Sequence, residues 1–273
     1  MDHLPLTPKN ITSTLNKSDI PYQIFHIDYT TKEKNTLKRF KVEKFRAHTY
    51  CGTDKKPEIK QFLESIGDND KKDIDIITKI VYKLIKTVLA GYKKTHYWIV
   101  IRCSTLTNQF DIPRWHKDGP YYVGQEKPSK FVTVLKGAGT LLKDMTPENK
   151  EAYDKIFLEK RELIKNIPVT YEENREEHLK ELVKIDDSLK PRYIEALKDS
   201  ETKQINNDEG LIFFAKEAMH SEPKIDRERI FISILPLDEE NIKNLQMCKN
   251  QNGGYYDKLI KYQNKLEINQ TIF

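Results

Sequence analysis

The stretch EGLIFFAKEAMHSEPKIDRERIFISILPL, residues 209–237, holds two short apolar runs separated by a polar, turn-rich connection. The runs are EGLIFFAK (Glu209–Lys216) and RIFISILPL (Arg229–Leu237), both rich in β-branched and aromatic residues and bounded by turn formers, so both are predicted strands. Side chains alternate across a strand. Arg229, Phe231 and Ser233 therefore share one face of the second run, and Ile230, Ile232 and Ile234 share the other. His220 falls between the two strands.

Working outward, HYWIVIRCST (His96–Thr105) and SKFVTVLKGAGTLL (Ser129–Leu142) have the same texture, and YQIFHIDYT (Tyr22–Thr30) reads as an earlier strand. Between the second and third core runs lies Thr146–Ser200, dominated by Glu, Lys, Leu and Ile. Thr146-Pro147-Glu148 has the form of an N-cap followed by proline at the first helical position, so the segment is predicted as two or three helices. A short helix is expected near Pro57–Ile66. From Asp73 to Leu89 the residues Ile77, Ile80, Val81, Leu84, Ile85 and Val88 recur on one face of a 3.6-residue helix, which Gly91 is expected to end. Strands and helices do not alternate. The pattern predicts a mainly β fold: a β-sandwich or jelly roll with an N-terminal helical support and a helical insertion. It divides as residues 1–94 (a support of helices and strand), 95–240 (core, with the insertion at 146–200) and 241–273 (a helical tail with a Gly253-Gly254 break), all one domain.

Composition narrows the class. At 273 residues with 10% aromatics the chain can build a sizeable core, and only 10 Gly and 12 Pro exclude collagen-like and low-complexity chains. No apolar run approaches the length that spans a bilayer, and the first residues lack the basic and apolar regions of a secretory signal. Cys51, Cys103 and Cys248 are widely spaced and odd in number, which predicts free thiols in a reducing compartment, with the cytosol as the expected location. The net charge of +5 is spread among interleaved acids. It permits a nucleic-acid partner, but no aromatic-basic groove is legible. No phosphate-binding glycine loop follows any strand, and no Gly-x-Ser-x-Gly marks a hydrolase.

The chemistry-bearing motif is Pro113-Arg114-Trp115-His116-Lys117-Asp118-Gly119. In an extended segment residues i and i+2 share a face, so His116 and Asp118 can converge on one point. With His220 they would make two imidazoles and one carboxylate on one side of a metal, the ligand set of non-haem Fe(II) oxygenases. A second His-x-Asp, His26 and Asp28, lies too early in the chain for a downstream histidine to return to it and is read as structural. Arg229, at the mouth of its strand, can grip a carboxylate with two parallel hydrogen bonds. Trp115, Tyr121 and Tyr122 are read as core aromatics or as the lining of a substrate entrance.

In this order RWHKDG, KFVTVLKGAGTLL, EGLIFFAKEAMHSEP and RERIFISIL resemble the Fe(II)/2-oxoglutarate-dependent dioxygenase superfamily, over about Tyr97–Leu237. The resemblance implies a double-stranded β-helix in which His116, Asp118 and His220 hold Fe(II), and Arg229 holds the distal carboxylate of 2-oxoglutarate. Arg227, of the same parity, is the alternative. It also implies O2 as co-substrate and hydroxylation or demethylation of an unidentified substrate with release of succinate and CO2. Thr133 or Tyr122 would add a polar contact to the co-substrate. The helical insertion would explain the long gap from Asp118 to His220 and is the expected place for a lid or a substrate-recognition element. The remaining readings are a cupin-like binding module without oxidation chemistry and a nucleic-acid-directed oxygenase.

Overall fold

The computed structural model describes residues 3–17, 20–53, 56–107, 113–118, 128–170 and 173–242. In chain order the elements are β1 (Leu4–Pro5), α1 (Pro8–Leu15), β2 (Tyr22–His26), α2 (Thr31–Arg39), β3 (Arg46–Gly52), α3 (Lys56–Ser65), α4 (Lys71–Tyr92), β4 (His96–Ser104), β5 (Ser129–Lys136), β6 (Leu141–Lys143), α5 (Pro147–Lys165), α6 (Arg175–Ala196), β7 (Thr202–Gln204), β8 (Glu209–Phe214), β9 (Met219–Ser221) and β10 (Arg229–Leu237). They form a seven-stranded sheet of order β1-β2-β8-β5-β10-β4-β3 and a three-stranded sheet of order β7-β6-β9. The two sheets face each other as a double-stranded β-helix.

Strand parity decides what each face of the large sheet meets. Tyr97, Ile99, Ile101, Phe131, Ile212, Ile230, Ile232 and Ile234 join the helices α1–α4 in one large core. The stripe predicted on α4 is the centre of it: Ile77, Ile80, Val81, Leu84, Ile85 and Val88 are all buried, each worth roughly 1.5–3 kcal/mol of burial. The opposite face presents Tyr22, Ile24, Val132, Leu211 and Phe213 to Leu142 and Ala218 of the small-sheet side, a second, smaller core. The candidate ligands His116, Asp118 and His220 lie on this side of the large sheet.

Three expectations change. Gly91 does not end α4. It lies inside the helix, where a Cβ would come within 2.5 Å of Ile11 Cβ, and the left-handed Lys93 ends the helix one residue past Tyr92. The run Ser129–Leu142 is two strands in different sheets, β5 and β6, broken at Gly137 with φ of 89°. The N-terminal segment supplies strands β1–β3 to the large sheet, β2 among them within the predicted Tyr22–Thr30 run, as well as the supporting helices. The insertion is not placed as a lid: α5 and α6 rise from the β6–β7 hairpin and pack Tyr153, Ile156, Leu189, Tyr193 and Leu197 on Trp115 and Met219. Trp115 and Met219 point away from the inter-sheet space, so the insertion braces the back of the small sheet. Lys143, buried, secures it by donating to the C-terminal carbonyls of Leu197 (2.7 Å) and Ser200 (2.8 Å). The expected tail helix beyond residue 242, with Cys248 and Gly253-Gly254, lies outside the described residues.

Candidate metal centre

His116 and His220 form a closely paired antiparallel bridge: the His116 amide donates to the His220 carbonyl at 2.9 Å, and the His220 amide donates to that of His116 at 3.0 Å. The bridge extends the edge of the small sheet through β9, whose His220 also faces Leu142 of β6. In such a pairing residues two positions along share the face. Arg114, His116 and Asp118 therefore turn inward beside Ala218, His220 and Glu222, while Trp115 and Lys117 turn outward to the insertion. The amide of Lys216 donating to the Asp118 carbonyl at 2.8 Å holds the far end of the segment.

The three predicted ligands come together. His116 Nε2 and His220 Nε2 lie 3.8 and 3.6 Å from Asp118 Oδ1, and the three ligand atoms fall within 4.8 Å of one another. Ligands about 2.1 Å from a common ion are separated by about 3.0 Å at a right angle and by at most about 4.2 Å, a range that holds both His–Asp spacings. Each Nδ1 faces a backbone carbonyl, that of Arg114 at 2.8 Å and that of Ala218 at 3.1 Å. A carbonyl can only accept, so both Nδ1 atoms carry the proton and both Nε2 lone pairs point at the site. Burial is the main force on both rings: it lowers the His116 pKa, and with the neighbouring imidazole it pushes His220 down to about 3. Both imidazoles are neutral near pH 7, the form that ligates metal. Burial raises the Asp118 carboxyl, but Lys130, with Nζ 2.7 Å from Oδ2, and the two imidazoles outweigh it and hold the group below its ordinary value.

Arg229 lies on the same face of β10 as Phe231, with its guanidinium carbon 5.0 Å from the Phe231 ring centroid and its Nε donating to the Ala138 carbonyl at 2.8 Å. Only 3% of it is exposed, and burial lowers its pKa to about 10. Arg227 instead has a side chain 72% exposed, 3.8 Å from Asp226, so of the two arginines Arg229 is the one inside. Thr133 is on the wrong face for the site, donating to the Glu209 carbonyl at 2.7 Å among the helix-side core. Tyr121 and Tyr122 lie outside the described residues. His26 and Asp28 are exposed. His178, in the insertion, is half-buried with Nδ1 2.7 Å from the Val169 carbonyl.

Four further charged groups were not picked out in the sequence: Arg102, Arg114, Lys130 and Glu222. Arg114 donates to Glu222 at 2.9 Å across the bridge, one register step beyond the histidine pair. Arg102, on β4, is 4.0 Å from the same carboxylate. Burial raises Glu222, yet Arg114, His116 and Arg102 hold it well below the usual carboxylate range. The parity rule that paired His116 with Asp118 also reaches Arg114 and Glu222. Nothing in the sequence pointed to Arg102 or Lys130, which arrive from other strands.

Solved structures share this architecture. The Kdo hydroxylase KdoO, described as a non-heme Fe(II) alphaketoglutarate dependent dioxygenase, aligns in its complex with alphaketoglutarate and Fe(III) at a TM-score of 0.50 and 9% identity, covering 86% of this chain and 88% of that one. Its cobalt(II) complex aligns at 0.50 and 10%, covering 90% and 91%. The chain has the fold of a non-heme iron dioxygenase. A Pseudomonas putida prolyl-4-hydroxylase also aligns, at a TM-score of 0.38 and 9% identity over 85% of this chain and all of that one. No protein-family model and no curated protein sequence matches the chain.

Proposed function

We propose that the protein is an Fe(II)- and 2-oxoglutarate-dependent oxygenase that hydroxylates or demethylates its substrate and releases succinate and CO2. The observation that carries this reading is the convergence of two neutral imidazole Nε2 atoms and one carboxylate oxygen from one side, with a buried guanidinium on the facing strand. Imidazole and carboxylate donors suit ferrous iron, and three protein ligands leave positions for other donors. Bound there, iron would activate O2, the oxidant, and 2-oxoglutarate would supply two of the four electrons that reduce it, the substrate supplying the other two.

The chain's own residues have definite tasks in this scheme. His116, Asp118 and His220 hold the metal. The Arg114 and Ala218 carbonyls fix both ring orientations, so that no rotation is needed when the ion arrives. Lys130 occupies Oδ2 of Asp118 and leaves Oδ1 toward the imidazoles. Arg229 has its Nε committed to Ala138, so its two terminal nitrogens form the fork for the distal carboxylate of 2-oxoglutarate. Phe213, with its ring centroid 4.5 Å from that of His220, and Phe231 line the space with apolar surface and keep it dry. The reading places the enzyme in the cytosol, supported by Cys103 being a buried free thiol, and no helix among the described residues is long and apolar enough to cross a membrane.

The test is an anaerobic titration of the apo-protein with Fe(II) and then 2-oxoglutarate, followed by the visible charge-transfer absorption of a chelated ferrous ion, with His116→Ala as control. The expected result is a band that requires both ligands and is lost in the variant. Iron binding without the band would favour the cupin-like binding module. No binding at all would leave the three residues with a structural role only.

A further inference from the structure

Four cations and two carboxylates turn into the space between the sheets: Arg102, Arg114, Lys130 and Arg229 against Asp118 and Glu222. Four cations against two carboxylates leave two positive charges in excess, and a divalent ion with dianionic 2-oxoglutarate adds none. Lys130 sits on Asp118 and Arg114 sits on Glu222, and Arg229 would face the distal carboxylate of the co-substrate in the function proposed above, on which this inference rests. Among the described residues Arg102 is the one of the four without an acid of its own. Its ion-pair partner among the described residues is the Glu222 oxygen that Arg114 already holds, 4.0 Å away, and both its Nε and the second Glu222 oxygen, Oε2, are buried without a hydrogen-bond partner.

The placement of Arg102 is that of a group waiting for a ligand. It pairs across the ladder with Phe231, so it lies one strand from Arg229 and on the same face. Its neighbours Ile101 and Cys103 are wholly buried on the helix side, whereas its own side chain is 31% exposed and reaches solvent. Glu222 opposes an anion here, but Arg114 at 2.9 Å neutralises it, and the field at Arg102 stays positive. A half-buried guanidinium binds an anion more strongly than one in open water, because the screening is weaker.

We propose that Arg102 is a second anion-binding residue of the site, and that it takes a carboxylate or phosphate carried by the substrate itself. The enzyme then oxidises an anionic small molecule, held by Arg102 while Arg229 holds the co-substrate.

The test uses the full chain loaded with Co(II), whose visible spectrum reports the metal site, in low-salt buffer with saturating 2-oxoglutarate. Inorganic phosphate and acetate are titrated separately and followed by calorimetry, so that the tighter of the two identifies the preferred anion. The expected result is binding that leaves 2-oxoglutarate in place and weakens roughly tenfold or more in Arg102→Gln, the loss of a charge-assisted hydrogen bond. Arg102→Lys should recover part of it, and Arg46→Gln, an exposed arginine on β3, should change nothing. Probe binding that is absent, that is unchanged in Arg102→Gln, or that only competes with 2-oxoglutarate overturns the proposal. The same titrations without 2-oxoglutarate keep the two readings apart. If 2-oxoglutarate fails to bind the wild-type protein, the oxygenase assignment falls, while phosphate or acetate binding still decides the role of Arg102.

Discussion

Replacing Arg229 by Gln tests the co-substrate site where the geometry is most definite. The guanidinium is buried and its Nε is committed to the Ala138 carbonyl. Two terminal nitrogens remain to meet a carboxylate, in a space that Phe231 walls on one side. Hydrogen bonds to a charged group contribute about 1.5–3 kcal/mol each. Glutamine keeps one donor and loses the charge, so a net loss of about 2–4 kcal/mol follows, or roughly 30- to 1,000-fold in the dissociation constant of 2-oxoglutarate. Arg229→Lys should fall between, since an ammonium keeps the charge without the fork.

Calorimetric titration of the Co(II)-loaded protein with 2-oxoglutarate measures this without turnover. Arg227→Gln is the internal control, because its side chain is 72% exposed and paired only with its neighbour Asp226; its affinity should stay within roughly twofold of wild type, as for other surface charges. Thermal melting separates binding from folding. Arg229→Gln removes a buried cation whose charged form burial disfavours, so it should not lower the melting temperature. A loss under roughly threefold in Arg229→Gln, or a larger loss in Arg227→Gln, would refute the assignment of the fork.

Three other outcomes follow from packing and charge. Gly91→Ala should destabilise the protein by about 1–3 kcal/mol in urea unfolding through overpacking, although helix propensity alone favours Ala by about 1 kcal/mol; the new Cβ would lie 2.5 Å from Ile11 Cβ and Cγ2. Glu222→Gln should cost about 1–2 kcal/mol at neutral pH, a value below that of a fully buried pair because Arg114 is half-exposed. Glu222 is held below its ordinary pKa in the fold, so its stabilisation is present above about pH 4.5 and lost as the pH falls through the folded value. The gap to wild type should therefore narrow in acid, and a widening gap would contradict the sign. Finally, burial raises the Cys103 thiol pKa strongly, so iodoacetamide should leave Cys103 unmodified in the native protein at about pH 8 and label it in urea, as read by peptide mass.

Much of this architecture is legible in the chain because it rests on periodicity. The α4 stripe, the strands at His96, Glu209 and Arg229, and the Thr146-Pro147 start of the insertion all announce themselves through local side-chain patterns. The elements that were missed lack such a pattern. Helix α2 buries only Thr36 and Leu37, although its Thr30–Glu33 capping box was a readable start signal. Strand β3 is an edge strand, half-buried along nearly its whole length, with no clean alternation to read. The break between β5 and β6 depends on Gly137, where a Cβ would meet the Glu228 carbonyl at 2.4 Å, a neighbour remote in the chain.

For the site, alternation in an extended strand, a local property of the backbone, pairs His116 with Asp118 in the sequence alone, and the resemblance to the dioxygenase superfamily adds His220 and the pair Arg227 and Arg229 as candidates. What the tertiary structure decided is non-local. It paired His116 with His220 across 104 residues of sequence, the difference of their positions, turned Arg229 inward and Arg227 out, and moved Thr133 to the opposite face. It set the insertion behind the small sheet. It also gathered Arg102, Arg114, Lys130 and Glu222 around the ligands, from strands whose order in space is not their order in the chain. A charge in a strand says nothing of its partners until the sheet order brings them within a few ångströms, where Coulomb energy and burial give them a role.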